Sequence, residues 1–360
     1  MVALWSVAPR FREWFVGSCL IALDPALWTY SVVLWKDVWT ASFSLFAGAF
    51  ATMFLRTKHL RHLVTATVST GIAISFRHNA VFLAAVPVAL VWFTTALGFR
   101  SRLMAATLTA LFLLVFPKLF ELPSNVRKTP IGAAAFIGQY VGLIVYLKEH
   151  ASAAYEEELQ LFDDHFGQGT AEQAVATHSV TMPAGGLLWP GGDKPPIVSA
   201  EAMNREFGFL ISRIFILGIE YPAGYLLHRA RNIRALFQMD EVHSPFYRSI
   251  DPNDFSLKES SMMPAIKAQV LKLLDNRRLN IFFRHYIFIA LLLLSIPVFL
   301  RAKDYPPLAI VSVGVIYMGS LLVTDVWADW RFLLTTYCCS LVALYSVVLK
   351  SVAMTWKIRR

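Results

Sequence analysis

Apolar runs long enough to approach a membrane span fill both ends of the chain, and polar residues separate them. A helix that crosses the hydrocarbon core of a bilayer needs about 20 predominantly apolar residues. The pattern therefore predicts an all-α polytopic membrane protein with about eight transmembrane helices. These predicted spans cover about 13–31, 38–55, 62–76, 80–99, 103–120, 284–300, 306–324 and 332–350.

The same pattern divides the chain into three regions. Residues 1–120 are predicted to form an N-terminal transmembrane bundle with a Lys36-Asp37 loop, 121–280 a large external region, and 281–360 the C-terminal transmembrane helices. Within the central region, 130–146 and 207–227 could each span the membrane or lie on it. We favour helices lying on it, because 207–239 ends in basic residues, a pattern typical of an amphipathic interfacial helix.

Composition supports a membrane protein and excludes several other classes. The chain is 56% hydrophobic and 16% charged, against roughly 25% charged residues in soluble domains. Its net charge of +9 comes from basic residues beside apolar runs, which predicts positive-inside loops and no nucleic-acid partner. Cys19, Cys338 and Cys339 lie in apolar stretches, so neither a disulfide framework nor a zinc site is expected.

Lysine and arginine in the short loops predict the orientation. Placing Arg10 and Arg12 inside also places the 56–61 loop, Arg100, Arg301 and the basic C-terminal tail inside. The external face then receives every unusual polar cluster, namely Lys36-Asp37, Arg77-His78-Asn79, the 121–280 region and the loop from Asp325 to Arg331. We therefore expect a functional site on the external face.

Two of these clusters contain residues suited to chemistry. Asp37 is a candidate general base or metal carboxylate, and the alternative is a solvated loop with an ordinary ion pair. Arg77 has no acidic neighbour in the sequence, so it is a candidate for binding a phosphate through its guanidinium group. The alternative for Arg77 is a side chain that extends to the membrane interface.

Two further strings are candidates for binding. Asp329 and Arg331 precede the last predicted helix and could contact a substrate or form a structural ion pair. The string from Tyr221 to Arg229 contains a proline that is expected to kink or restart a helix. Its basic end could face lipid phosphates or only solvent. The sequence contains no Gly-rich phosphate loop, no Ser-His-Asp signature and no Cys/His metal spacing.

Together these strings resemble bacterial polytopic glycosyltransferases of the GT-C type, family-39-like. The match rests on Tyr30 to Asp37, Arg77 to Asn79, Tyr221 to Arg229, and Asp329-Trp330-Arg331-Phe332. The resemblance implies transfer of a sugar from a polyprenyl-phosphate donor to a lipid, glycan or protein on the external face of a bacterial inner membrane. It implies no certain cofactor, although a divalent metal is possible, and it indicates that an N-terminal helix with its acidic loop is missing.

The resemblance also implies roles for individual residues. Asp37 would be catalytic, and membrane lipids and the donor would be the partners. Substrate would contact Lys36, Arg77, His78, Asn79, Tyr221, Tyr225, His228, Arg229, Asp329 and Arg331. We expect Arg77, His78 and Arg331 to converge with Asp37. The alternatives are a non-enzymatic transporter or flippase for an anionic lipid, and an inactive truncated scaffold. A transporter should show internal repeats and mid-span charges, which the sequence lacks.

Overall fold

Every secondary-structure element that the computed structural model describes is a helix. The described residues are 2–8, 10–24, 27, 36–94, 98–121, 131–179, 187, 196–239, 263–276, 278, 280–324 and 333–358. The chain divides into two compact units. Unit 1 comprises Met1–Ser124, Val242–Leu321 and Trp330–Arg360, and unit 2 comprises Asn125–Glu241 and Leu322–Asp329.

Unit 1 contains the apolar helices from both ends of the chain. In chain order these are α1 (Val2–Val7), α2 (Phe11–Ala22), α3 (Lys36–Thr57), α4 (Leu60–Phe76), a 3₁₀ helix (His78–Ala84), α5 (Ala85–Thr94) and α6 (Phe99–Glu121). The described helices of unit 2 are α7 (Ile131–His150), α8 (Ser152–Phe166), α9 (Thr170–Thr177), α10 (Ala200–Arg205), α11 (Phe207–Glu220) and α12 (Pro222–Leu236). Unit 1 resumes with α13 (Met263–Asp275), a 3₁₀ helix (Asn280–Phe283), α14 (His285–Arg301), α15 (Leu308–Thr324) and α16 (Leu334–Ile358). The last three residues of α15 are assigned to unit 2.

Three described helices are long and apolar enough to cross a membrane: Asp37–Thr57, Phe99–Phe116 and Leu334–Ser351. The eight predicted spans are therefore not confirmed. The other apolar helices of unit 1 fall at the predicted positions but are shorter, at 10–17 residues. At about 1.5 Å per residue, such helices are at most about 26 Å long, against a hydrocarbon core of about 30 Å. The predicted first span is a 12-residue helix that ends at Ala22.

The expected Lys36-Asp37 loop is instead the first turn of a helix. Helix α3 begins at Lys36, and Asp37 is the acidic residue of its first turn. A carboxylate is favourable there, because the first backbone N–H groups of a helix carry partial positive charge. Asp37 is also buried, so the alternative of a solvated loop is wrong.

Helix α7 forms the centre of unit 2. Whether this unit lies on the membrane, as expected for 130–146, stays a prediction. Its residues Ile137, Tyr140 and Val141 are wholly buried in the hydrophobic core of the unit. The other described helices of the unit all contact α7. A helix that is apolar all round fits a protein core as well as it fits lipid, and here the protein encloses it.

Helices α11 and α12 form the bent pair that the proline predicted. Their axes differ by 112°, with Tyr221 at the break and Pro222 in the first turn of α12. Taken together, the pair could count as a fourth, broken span. Every exposed large apolar side chain of the described part of 131–239 lies on this pair or directly after it. These residues are Phe207, Ile211, Phe215, Ile219, Leu226, Leu227 and Met239. We call the first four, spaced four residues apart along α11, the apolar stripe.

Polar contacts fix α11 against the acidic helix α8 on the side away from the apolar stripe. Glu158 is buried and pairs with Arg213 of α11, and the hydroxyl of Tyr140 donates a hydrogen bond of 2.6 Å to the same carboxylate. At the start of α11, Glu206 accepts one hydrogen bond from Nε of Arg205 and contacts Nδ1 of His165 of α8, both at 2.8 Å. These two neighbours lower the pKa of Glu206 below its ordinary value.

Candidate functional site

Asp37 and Arg77 form a buried ion pair at one end of a helical hairpin. Helices α3 and α4 are joined by Lys58 and His59 only, so they run antiparallel and pack along their length. Arg77 follows α4 directly with an extended backbone, and its Nε contacts the Asp37 carboxylate. The Asp37 and Arg77 side chains are 4% and 13% exposed. The predicted proximity of these two residues is therefore confirmed, and Arg77 does not extend to solvent.

Aromatic rings pack beside this ion pair. Trp39 and Phe43 of α3 both stack on Phe76, with ring centroids 6.1 Å apart in each case. The Asp37 carboxylate retains acceptor capacity, because its Oδ2 has no hydrogen-bond partner among the described residues. A buried carboxylate oxygen without a partner is uncommon, since desolvating it costs free energy. The pair therefore leaves one carboxylate oxygen available to a hydroxyl group or a cation.

A second buried carboxylate lies near the same end of α3, and sequence reasoning did not select it. Asp24 accepts a hydrogen bond of 2.7 Å from the Tyr337 hydroxyl and one of 3.0 Å from the backbone N–H of Leu27. Tyr337 packs in a small core with Ala41 of α3, and Val38, the neighbour of Asp37, packs against that core. The available signal was an aspartate interrupting an apolar run.

The predicted binding residues at the α11–α12 break and in α12 belong to unit 2. Tyr221 and Tyr225 pack against the hydrophobic core of that unit, and His228 and Arg229 are buried. Nε2 of His228 lies 3.2 Å from the Asn232 amide nitrogen. The structure therefore gives each of these residues a place in unit 2, and their contact with a substrate stays a prediction.

The remaining predicted residues are only partly visible. Lys36 lies in the first turn of α3, and His78 and Asn79 begin the 3₁₀ helix, but their side chains are outside the described part of the structure. Asp329 and Arg331 lie outside the described residues altogether. Their convergence with Asp37 stays a prediction. Among the residues that are described, no group of three metal-binding side chains comes together.

Comparisons with known proteins give no match. No protein-family model, no curated protein and no solved structure matches the chain. The case for a function therefore rests on the sequence motifs and on the geometry of the buried residues.

Proposed function

We propose that the chain is a membrane-bound glycosyltransferase that moves a sugar from a polyprenyl-phosphate donor to a lipid, glycan or protein acceptor. The observation that supports this most is the buried Asp37–Arg77 pair at the end of an apolar helix, with one Asp37 oxygen unsatisfied. Ionisable groups buried in a membrane protein are costly and commonly belong to functional sites. A base and a phosphate-binding cation are the two groups that this reaction requires.

In the proposed reaction, Asp37 accepts the proton of the acceptor hydroxyl as that oxygen attacks the anomeric carbon of the donor sugar. The bond between the anomeric carbon and the phosphate oxygen breaks, and its electron pair stays on the phosphate. Arg77 stabilises this leaving group through its guanidinium. To do so, Arg77 turns part of its hydrogen-bonding capacity from Asp37 to the phosphate, which frees the carboxylate to act as a base.

The same geometry supports a second candidate role, a structural clamp. The pair closes the open end of the α3–α4 hairpin, opposite its two-residue connection at Lys58 and His59. Removing one member of a buried ion pair typically costs about 3–5 kcal/mol, because the other charge is left unpaired. A scaffold without catalytic activity would require the pair only for this purpose.

A transfer assay with membranes that contain the chain tests the proposal. Membranes with the parental or Asp37→Asn protein are incubated with a panel of radiolabelled polyprenyl-phosphate sugars, and release of polyprenyl phosphate is measured. We expect Asp37→Asn to lower the rate by about 10²–10⁴, the usual contribution of a positioned base. Transfer at the parental rate by Asp37→Asn would contradict the proposal.

Unit 1 provides a matched control. Asp304 pairs with Lys350, and both side chains are only partly exposed. This pair lies near the other end of α3, because the adjoining Pro306 carbonyl accepts a hydrogen bond from Thr52. Asp304→Asn removes an aspartate–cation pair from the same unit without touching the proposed site. We therefore expect Asp304→Asn membranes to keep the parental rate.

A further inference from the structure

A small cavity lies in unit 2 between α7 and α12, and the ionisable side chains that line it are histidine and arginine, apart from one tyrosine. Its volume is about 40 Å³, room for two or three atoms of the size of water oxygen. The lining includes His178, His228, Arg231 and Tyr146. None of the residues that line it is acidic. The exposed Arg231 places the cavity at the surface of the unit.

Two glycines hold the polar side of this cavity in place. A Cβ atom on Gly142 of α7 would lie 2.2–2.7 Å from three atoms of the His228 ring. A Cβ atom on Gly224 of α12 would lie 2.4–2.8 Å from the Tyr146 ring. Because glycine has no side chain, Gly142 leaves room for the His228 ring and Gly224 leaves room for the Tyr146 ring. This packing fixes His228 at the cavity wall. The His178 ring lies 5.7 Å away, centroid to centroid.

Two arginines of α12 at or beside the cavity, Arg229 and Arg231, have no counter-charge among the described residues. Arg229 adjoins His228 and is 8% exposed, yet its Nη1 has no hydrogen-bond partner among the described residues. Within that part of the chain, neither Arg229 nor Arg231 pairs with a carboxylate. A buried guanidinium without a partner is destabilising, and like charges beside it add to the cost. Arg231 lines the cavity and Arg229 does not, so an anion in the cavity would pair with Arg231 and would reduce the repulsion between the two guanidinium groups.

We propose that this surface cavity binds a phosphate group, two of whose oxygens enter it and contact Arg231, His178 and His228, with the charge of Arg229 adding to the attraction. Guanidinium and imidazole N–H groups are good donors to phosphate oxygens. The phosphate could belong to a soluble ester or to a lipid headgroup such as polyprenyl phosphate. The inference rests on the proposed function only if the phosphate belongs to polyprenyl phosphate. Binding of a phosphate group as such is inferred from the residues that line the cavity.

The test follows histidine resonances in the full chain. The protein, with ¹⁵N-labelled histidine, is placed in nanodiscs of phosphatidylcholine, and the resonances of His178 and His228 are assigned by substitution. Inorganic phosphate is then titrated. We expect both resonances to shift saturably and Arg231→Gln to weaken the apparent affinity at least tenfold, the loss of one strong charge-assisted hydrogen bond. The exposed Arg231 allows this variant to fold.

Arg234→Gln, one turn further along α12 and outside the cavity lining, is the control and should bind as the parent does. A second arm replaces free phosphate with polyprenyl phosphate in the nanodisc. Shifts in either arm support the pocket and identify the source of its phosphate. No shift in either arm, or equal affinity in Arg231→Gln and Arg234→Gln, would overturn the proposal. Neither outcome bears on transfer by Asp37, which lies in unit 1.

Discussion

Replacing Glu158 with glutamine should weaken the packing of α8 and α11 against α7, the central helix of unit 2. The Glu158 side chain is 2% exposed and contacts Nη2 of Arg213, while Nε of Arg213 lies 3.3 Å from its second oxygen. The hydroxyl of Tyr140, on the central helix α7, donates a hydrogen bond to that same oxygen. One carboxylate therefore joins α7, α8 and α11. Glutamine keeps the shape but removes the charge that compensates Arg213.

The expected size of the effect follows from the burial of the pair. Breaking a buried ion pair by removing one partner costs about 3–5 kcal/mol. The Arg213 side chain is 19% exposed, so water partly solvates the charge left behind, and the lower end, about 3 kcal/mol, applies. At about 1.4 kcal/mol per factor of ten, the opening equilibrium of these helices should rise by about 150-fold.

Hydrogen exchange of the full chain, read by mass spectrometry, measures this opening helix by helix. Peptides from α7 and α8 should exchange about two orders of magnitude faster in Glu158→Gln. Glu157→Gln changes the neighbouring, exposed carboxylate and should leave the exchange unaltered. Replacing Glu158 and Arg213 together with leucine should restore much of the protection, because apolar replacements of a whole buried pair are often tolerated. Unchanged exchange in Glu158→Gln would refute the reasoning.

Three further predictions concern unit 2. Gly142→Ala should destabilise the unit by about 1–3 kcal/mol through overpacking, whereas Gly208→Ala, which meets open space, should not; hydrogen exchange compares them. Because the pKa of Glu206 is lowered in the folded state, its carboxylate contributes stability that is complete above the unfolded pKa of about 4.3 and is lost as the pH falls through the folded pKa. Glu206→Gln should therefore reduce the fall of the melting temperature at acidic pH. A nitroxide at Phe215→Cys should be more accessible to oxygen than to a nickel chelate in lipid nanodiscs, with the reverse at Glu157→Cys; equal accessibility would exclude a lipid contact for the apolar stripe.

Local pattern was sufficient to predict where most helices lie. The span predicted at about 38–55 is the helix Lys36–Thr57, and the span at about 103–120 lies within Phe99–Glu121. Long apolar runs bounded by charged residues have few alternatives to a helix. The proline at 222 likewise marked the break between α11 and α12.

Long-range contacts decided what the pattern could not. The segment 130–146 is apolar enough to lie in lipid or in a protein core, and the sequence does not distinguish the two. Its packing with the other helices of unit 2 shows that it forms the core of that unit. Asp24 is held by Tyr337, 313 positions away, so its interruption of an apolar run could not be interpreted from its neighbours. Arg77 has its carboxylate partner at Asp37, which the α3–α4 hairpin brings close.

A charge exchange at the candidate site tests the central claim, that Asp37 acts as a base and not only as the partner of Arg77. The double variant Asp37→Arg with Arg77→Asp keeps an ion pair at the open end of the hairpin but moves the carboxylate to α4's end. We expect it to insert and fold better than either single variant, while transfer from polyprenyl-phosphate sugar remains at the level of Asp37→Asn. Recovery of transfer to the parental rate in the double variant would contradict the claim and leave the pair as a structural clamp.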